Sequence, residues 1–134
     1  MTSSEARELF ASARVARLAT ADAAGQPHLV PLVFALAGDS VFSAVDAKPK
    51  RTRALRRLRN IAENPRVALL ADHYDDDWDA LWWVRAEGEA RVLGGEDAAP
   101  GLALLAERYA QYRAEPPAGP LLAVAVTRWS GWRA

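Results

Sequence analysis

Apolar positions along this chain repeat with two periods, and the shorter one dominates. Residues 15–20 alternate and predict a strand. The turn cluster Asp22-Ala23-Ala24-Gly25-Gln26-Pro27 follows, then residues 28–36 read as a second strand. Gly38-Asp39 marks a tight turn before a third strand over 40–45. Short turns between the three imply an antiparallel meander. Residues 67–70 predict a fourth strand, 81–93 a long fifth with Gly88 as a bulge, and 121–129 a sixth. Helical spacing occupies the gaps. Ser4 is the expected N-cap of a short helix to about Ala13, with Leu9, Phe10 and Ala13 inward. Thr52 is the expected cap of a helix from Arg53 to about Glu63, ended by Asn64-Pro65. Residues 98–112 are helical, with Leu102, Leu105 and Tyr109 inward, and Pro116, Pro117 and Pro120 mark a loop. The sum is a mainly β (α+β) fold: a six-stranded, closed or partly closed barrel with helices at its rim.

Pro31 falls inside the second strand. Proline cannot donate to a ladder. It marks either an edge strand or a break that leaves neighbouring backbone groups free for another partner, and the sequence leaves both open.

Composition narrows the class. At 134 residues the chain makes one domain, 1–134, and its 51% hydrophobic content suits a packed core. A net charge of zero argues against nucleic-acid or membrane attraction, which needs a field over a whole face. With no cysteine there is no disulfide, thiol catalysis or thiolate metal site. The first residues lack the apolar run of a signal peptide, and nothing approaches the roughly 20 apolar residues of a membrane span. The expected compartment is the cytoplasm.

Within this neutral chain one segment is strongly basic. Lys48 and Lys50 are the only lysines, and seven of the twelve residues from 48 to 59 are basic with none acidic. Lysine gives a compact point charge and arginine a planar fork. Basic side chains in a helix's first turn oppose its dipole unless an anion sits there. The segment is therefore a candidate phosphate site, with Lys48 and Lys50 as point charges, Arg51 and Arg53 as forks and Thr52 as a hydroxyl. No glycine-rich stretch precedes it, so it is not a Walker loop. A solvated helix face is the plainer alternative.

Other constellations are weaker. Asp72, Asp75, Asp76, Asp77 and Asp79 surround His73, but the spacing is not that of a calcium loop, and a solvated acidic loop is the favoured reading. His28 and His73 lack a nucleophile on a strained turn. Of the adjacent pair Trp82 and Trp83, one must face the core. Trp129 and Trp132 sit where chains usually fray, so they imply docking against a subunit or a flat ring.

Several stretches together resemble the split-barrel flavin and deazaflavin oxidoreductases of the pyridoxamine-phosphate-oxidase-like superfamily, in particular its actinobacterial branch of probable F420-dependent enzymes. They are Ala16-Arg17-Leu18-Ala19-Thr20, Pro27-His28-Leu29-Val30-Pro31-Leu32-Val33-Phe34, the run from Phe42 to Lys50, Leu58-Arg59-Asn60-Ile61, Asn64-Pro65-Arg66-Val67 and the terminal tryptophan. The resemblance implies a split β-barrel homodimer with two cofactor clefts at its interface. It implies that the backbone of Val30, Pro31 and Leu32 lines the ring edge, and that Ser43, Ala44 and Val45 run beside the ring and its side chain. Lys48 and Lys50 would hold the phosphate, assisted by Arg51 and Arg53, while Trp78, Trp129 and Arg133 would come from the other subunit. Ala44 stands where flavin-binding relatives often place a hydroxyl, which leaves FMN and F420 both open. The long basic stretch favours F420, whose tail carries extra carboxylates. The implied function is hydride transfer between F420, or alternatively FMN, and a small organic substrate. This chemistry needs positioning and a dry face rather than a protein nucleophile. The rivals are a non-enzymatic flavin or haem carrier, for which His28 and His73 are the only axial histidines, and an interaction module whose basic helix meets an acidic partner.

Overall fold

Thr2, rather than Ser4, starts the first helix. Its side chain accepts from the Glu5 N–H while the Glu5 carboxylate accepts from the Thr2 N–H, a complete capping box. The chain is described by a computed structural model that covers residues 1–45, 52–117 and 119–134. The predicted anion-site residues Lys48, Lys50 and Arg51, and the Arg53 side chain, lie outside the described residues. In chain order the elements are α1 (Ser3–Ser12), β1 (Ala16–Ala21), β2 (Pro27–Leu32), β3 (Ala35–Ala37), β4 (Ser40–Ala44), α2 (Thr52–Glu63), β5 (Arg66–His73), β6 (Trp82–Leu93), α3 (Ala99–Arg108), α4 (Ala110–Ala114) and β7 (Leu121–Arg133). Short 3-10 turns occupy Trp78–Ala80 and Gly95–Ala98.

The strands form one antiparallel sheet in the order β2-β1-β5-β6-β7-β4-β3. Two expectations are corrected here. There are seven strands, not six, because the predicted second strand divides into β2 and β3. The sheet is also not closed, since β2 and β3 follow each other in sequence yet end the sheet on opposite sides. The first three predicted strands are therefore two hairpins, β1–β2 and β3–β4, and not a meander.

The division falls at Val33 and Phe34, and its cause is tertiary. The Phe34 N–H donates to the Tyr109 hydroxyl at 3.2 Å, and the Val33 carbonyl accepts from the Ser43 hydroxyl at 2.8 Å. Side chains thus satisfy backbone groups that a continuous ladder would have used. Pro31 lies on an edge strand, as one of its two readings required.

The other expected strands are present with adjusted bounds. The Gly88 bulge is present: Glu87 stands opposite Arg128 and Gly88 opposite Val126, so Thr127 is the extra residue. β5 continues to His73 and β7 to Arg133, paired with β6 to its end instead of fraying. The helix predicted over 98–112 breaks at Tyr109, whose φ of −118° and ψ of 121° are extended. Phe10, Leu18, Phe34, Leu69 and Val84 are the centre of the core. The Phe10 ring lies 4.7 Å from Phe34 and 5.3 Å from Trp129. No described helix is long and apolar enough to cross a membrane.

Candidate functional site

Alternation along β2 sorts the first three predicted site residues. Val30 and Leu32 point into the core, while Leu29 and Pro31 point outward. Only the backbone of Val30 and Leu32 is available to a ligand. β2 pairs with β1 alone, so alternate N–H and C=O groups on its other edge meet no strand among the described residues.

The β4 residues are reached across the split. Ser43 is buried and its hydroxyl is committed to the Val33 carbonyl. Ala44 is half-buried opposite Leu121, and Val45 is buried with its N–H on the Pro120 carbonyl. The Ser43–Val33 bond joins the strip that contains Val30, Pro31 and Leu32 to the strip that contains Ser43, Ala44 and Val45.

Of the expected anion helix, Arg56, Arg57 and Arg59 have described side chains. The Arg57 Nε is buried with no hydrogen-bond partner among the described residues. Burial lowers the pKa of its guanidinium from the usual value. An anion beside it would offset that desolvation. The far half of α2 is tied down: Asn60 Nδ2 donates to the Thr20 hydroxyl at 3.1 Å in a buried pair, and Glu63 accepts from the Ala23 N–H at 2.8 Å.

The aromatic residues separate. Trp82 packs on the core and stacks with His73 at 6.5 Å, while Trp83 lies on the outer face under the Arg85 guanidinium at 5.3 Å. Trp129 is partly buried against Phe10 of its own chain, and its Nε1 donates to Asp39. Trp78 is exposed on the 3-10 turn, and Arg133 is exposed opposite Trp82 at the end of β7. The acidic loop makes its own turns: Asp75 accepts from the Asp77 N–H and Asp77 from the Asp79 N–H. Asp72 and His73 belong to β5 rather than to that loop.

The sequence reading missed the outer face of the sheet. Register aligns Pro31, Arg17, Leu70 and Arg85 in one row and Leu29, Ala19, Ala68 and Glu87 in the next. Between them runs a trough of about 500 Å³ with an apolar floor. Arg17 and Asp72 pair across its rim at 3.4 Å. The signal was present in the alternation of β2, which puts Leu29, 67% exposed, on the polar side.

Comparison with known proteins agrees with this architecture. The sequence matches the family described as pyridoxamine 5'-phosphate oxidase over residues 2–133. It is 33% identical over 87 residues to a 5a,11a-dehydrotetracycline/5a,11a-dehydrooxytetracycline reductase of Streptomyces rimosus, a match spanning 63% of this chain and 60% of the reductase. A FAD-binding protein from Mesorhizobium loti superposes with a TM-score of 0.74 at 18% identity, over 98% of this chain and 94% of the other. HutZ, the heme storage protein from Vibrio cholerae, superposes with a TM-score of 0.73 at 17% identity, over 97% and 92%. Matched over nearly its whole length, the chain belongs to the pyridoxamine 5'-phosphate oxidase family.

Proposed function

We propose that this protein is a cytoplasmic, F420-dependent oxidoreductase acting as a homodimer, with FMN as the alternative cofactor. The observation that carries the reading is the 2.8 Å bond from Ser43 to the Val33 carbonyl. It draws together the two strips that the family resemblance assigns to the cofactor ring. The open edge of β2 offers the ring backbone donors and acceptors. Lys48, Lys50, Arg51 and Arg53 would hold the phosphate. Arg56, Arg57 and Arg59 continue the positive charge along α2, where the carboxylates of an F420 tail find partners that FMN, ending at its phosphate, does not need. Trp78 and Arg133, both exposed, would complete the cleft of the other subunit, whereas the Trp129 indole is engaged by Phe10 and Asp39 of its own chain. When bound, the reduced cofactor supplies a hydride to an activated double bond. The chain's part is to orient the ring, hold its anionic end and exclude water. The likeness to a reductase of dehydrotetracyclines favours conjugated, electron-poor acceptors as the substrate class.

The test is titration of purified protein with FMN and F420 at two salt concentrations, followed by an assay of reduced F420 against conjugated acceptors. The expected result is tighter F420 binding with the steeper salt dependence, because exposed charge pairs are screened at a Debye length near ~10 Å at 0.1 M. Equal affinities and equal salt slopes would remove the preference for F420. Binding of neither cofactor would overturn the reading, and tight binding without turnover would favour a carrier.

A further inference from the structure

Arg108 and Tyr109 sit at the break between α3 and α4, on the opposite side of the split from β2. Neither was assigned any role by the site residues above. The Tyr109 hydroxyl is almost wholly enclosed. It accepts from the Phe34 N–H at 3.2 Å, and its single proton serves the carbonyls of Phe34 at 2.9 Å and Arg14 at 3.1 Å. Arg108 commits its guanidinium to main-chain carbonyls: Nη1 donates to Phe34 at 3.1 Å, and Nη2 donates to Ala11 at 2.9 Å and to Ala13. The same guanidinium lies 4.8 Å from the centre of the Phe34 ring. Both polar groups of the Phe34 backbone are thus held by two consecutive residues that stand some 75 positions away in sequence.

We propose that Arg108 and Tyr109 are positioning residues, a staple that fixes the Val33–Phe34 crossing and so sets the spacing between the two cofactor-lining strips. The inference rests on the cofactor reading above. Val33 and Phe34 make no ladder contact, and within the sheet β2 is linked to β4 only through the four strands between them, so no ladder holds the crossing itself. Ser43 holds the crossing from the β4 side and the staple holds it from the helix side. A guanidinium fork can hold two elements at a fixed distance, which an ammonium group on a flexible stem cannot. The extended conformation of Tyr109 accompanies these bonds. The residue at which the helix breaks is the one whose hydroxyl meets both polar groups of the Phe34 backbone.

The test uses Tyr109→Phe, which keeps the ring, and Arg108→Lys, which keeps the charge. Val67→Ala in β5 is the control for general destabilisation. Two readouts are taken well below the melting temperature: amide exchange of the peptide covering residues 30–36 in the cofactor-free protein, and affinity for FMN and F420. Both staple variants should lose exchange protection over 30–36 while β5 and β6 keep theirs, and should bind cofactor about tenfold more weakly. Val67→Ala should leave exchange over residues 30–36 and cofactor affinity unchanged. Unaltered exchange in Tyr109→Phe would overturn the staple. Faster exchange with wild-type affinity would overturn its positioning role. If the wild type binds neither cofactor, the functional reading fails, while the exchange data still decide the staple by themselves.

Discussion

The indole Nε1 of Trp129 donates to the Asp39 carboxylate at 2.9 Å, on the same oxygen that accepts from Arg7 at 2.8 Å. One side chain in the β3–β4 turn therefore fastens both α1 and the late part of β7. The backbone repeats the link, since the Asp39 carbonyl accepts from the Val126 N–H. A tryptophan near the end of the chain is held by its own fold.

This pair makes stability depend on pH in a defined direction. The Trp129 and Arg7 hydrogen bonds hold the Asp39 pKa below its ordinary value. A depressed folded-state pKa contributes stability that is fully present above the unfolded value near ~4 and is lost as pH falls through the folded value. Asp39→Asn lacks this contribution. Its melting temperature should lie below wild type at neutral pH, and the gap should close as pH falls below about 4. A constant gap down to the acid limit would refute the assignment. Added salt should narrow the part due to Arg7, because both partners of that pair are solvent-accessible.

Gly88 gives a purely steric prediction. A Cβ there would stand 2.1 Å from the Ala125 carbonyl oxygen and 2.9 Å from the Val126 Cα. These are backbone atoms of the paired strand, so relief requires the bulge itself to move. Gly88→Ala should cost about 1–3 kcal/mol, measured by urea denaturation with the slope unchanged.

The bulge and the long β6 were legible because residues 84–90 alternate inward and outward with a glycine at one of the inward positions. Trp82 inward and Trp83 outward follow from the same parity. The split at Val33–Phe34 was not legible. Residues 29–36 are a continuous apolar run, and what divides them is the hydroxyls of Tyr109 and Ser43, which local periodicity cannot see. The helix break at Tyr109 is the other half of that event: Leu102, Leu105 and Tyr109 keep helical spacing, and tertiary bonding overrides it. The cap on Thr2 could have been read, since Glu5 three residues on completes the box. The anion site was inferred from basic residues clustered at a helix start and from the family resemblance, and Arg57 is its one described side chain that has an unbonded buried atom.

The buried Asn60–Thr20 pair should behave as a unit. Thr20→Val alone leaves the Asn60 amide without its partner, and Asn60→Ala alone leaves the hydroxyl, each at about 1–3 kcal/mol. The double variant should cost clearly less than the sum of the two. Additive losses in a double-mutant cycle would mean that the 3.1 Å contact carries no net coupling.

The outer face of the sheet supplies the last prediction, which rests on the proposed homodimer. Leu29 is 67% exposed and Leu70 39% exposed, both over the apolar trough. Arg17, Asp72, Arg85 and Glu87 stand around them with both signs of charge on one surface. Both signs of charge on one face would let a two-fold axis set guanidinium groups of one copy near carboxylates of the other. Because Leu29 and Leu70 stand on the exposed outer face of the sheet, a charge there should spare the fold of one copy. The same charge would be desolvated in the dimer. Leu29→Glu or Leu70→Glu should weaken association by about 2 kcal/mol or more, roughly thirtyfold in dissociation constant, with the melting temperature of the monomer little changed. Sedimentation velocity across a concentration series reads the association directly. A dimer that persists unchanged in both variants would place the interface on another face and leave the trough open to a ligand instead.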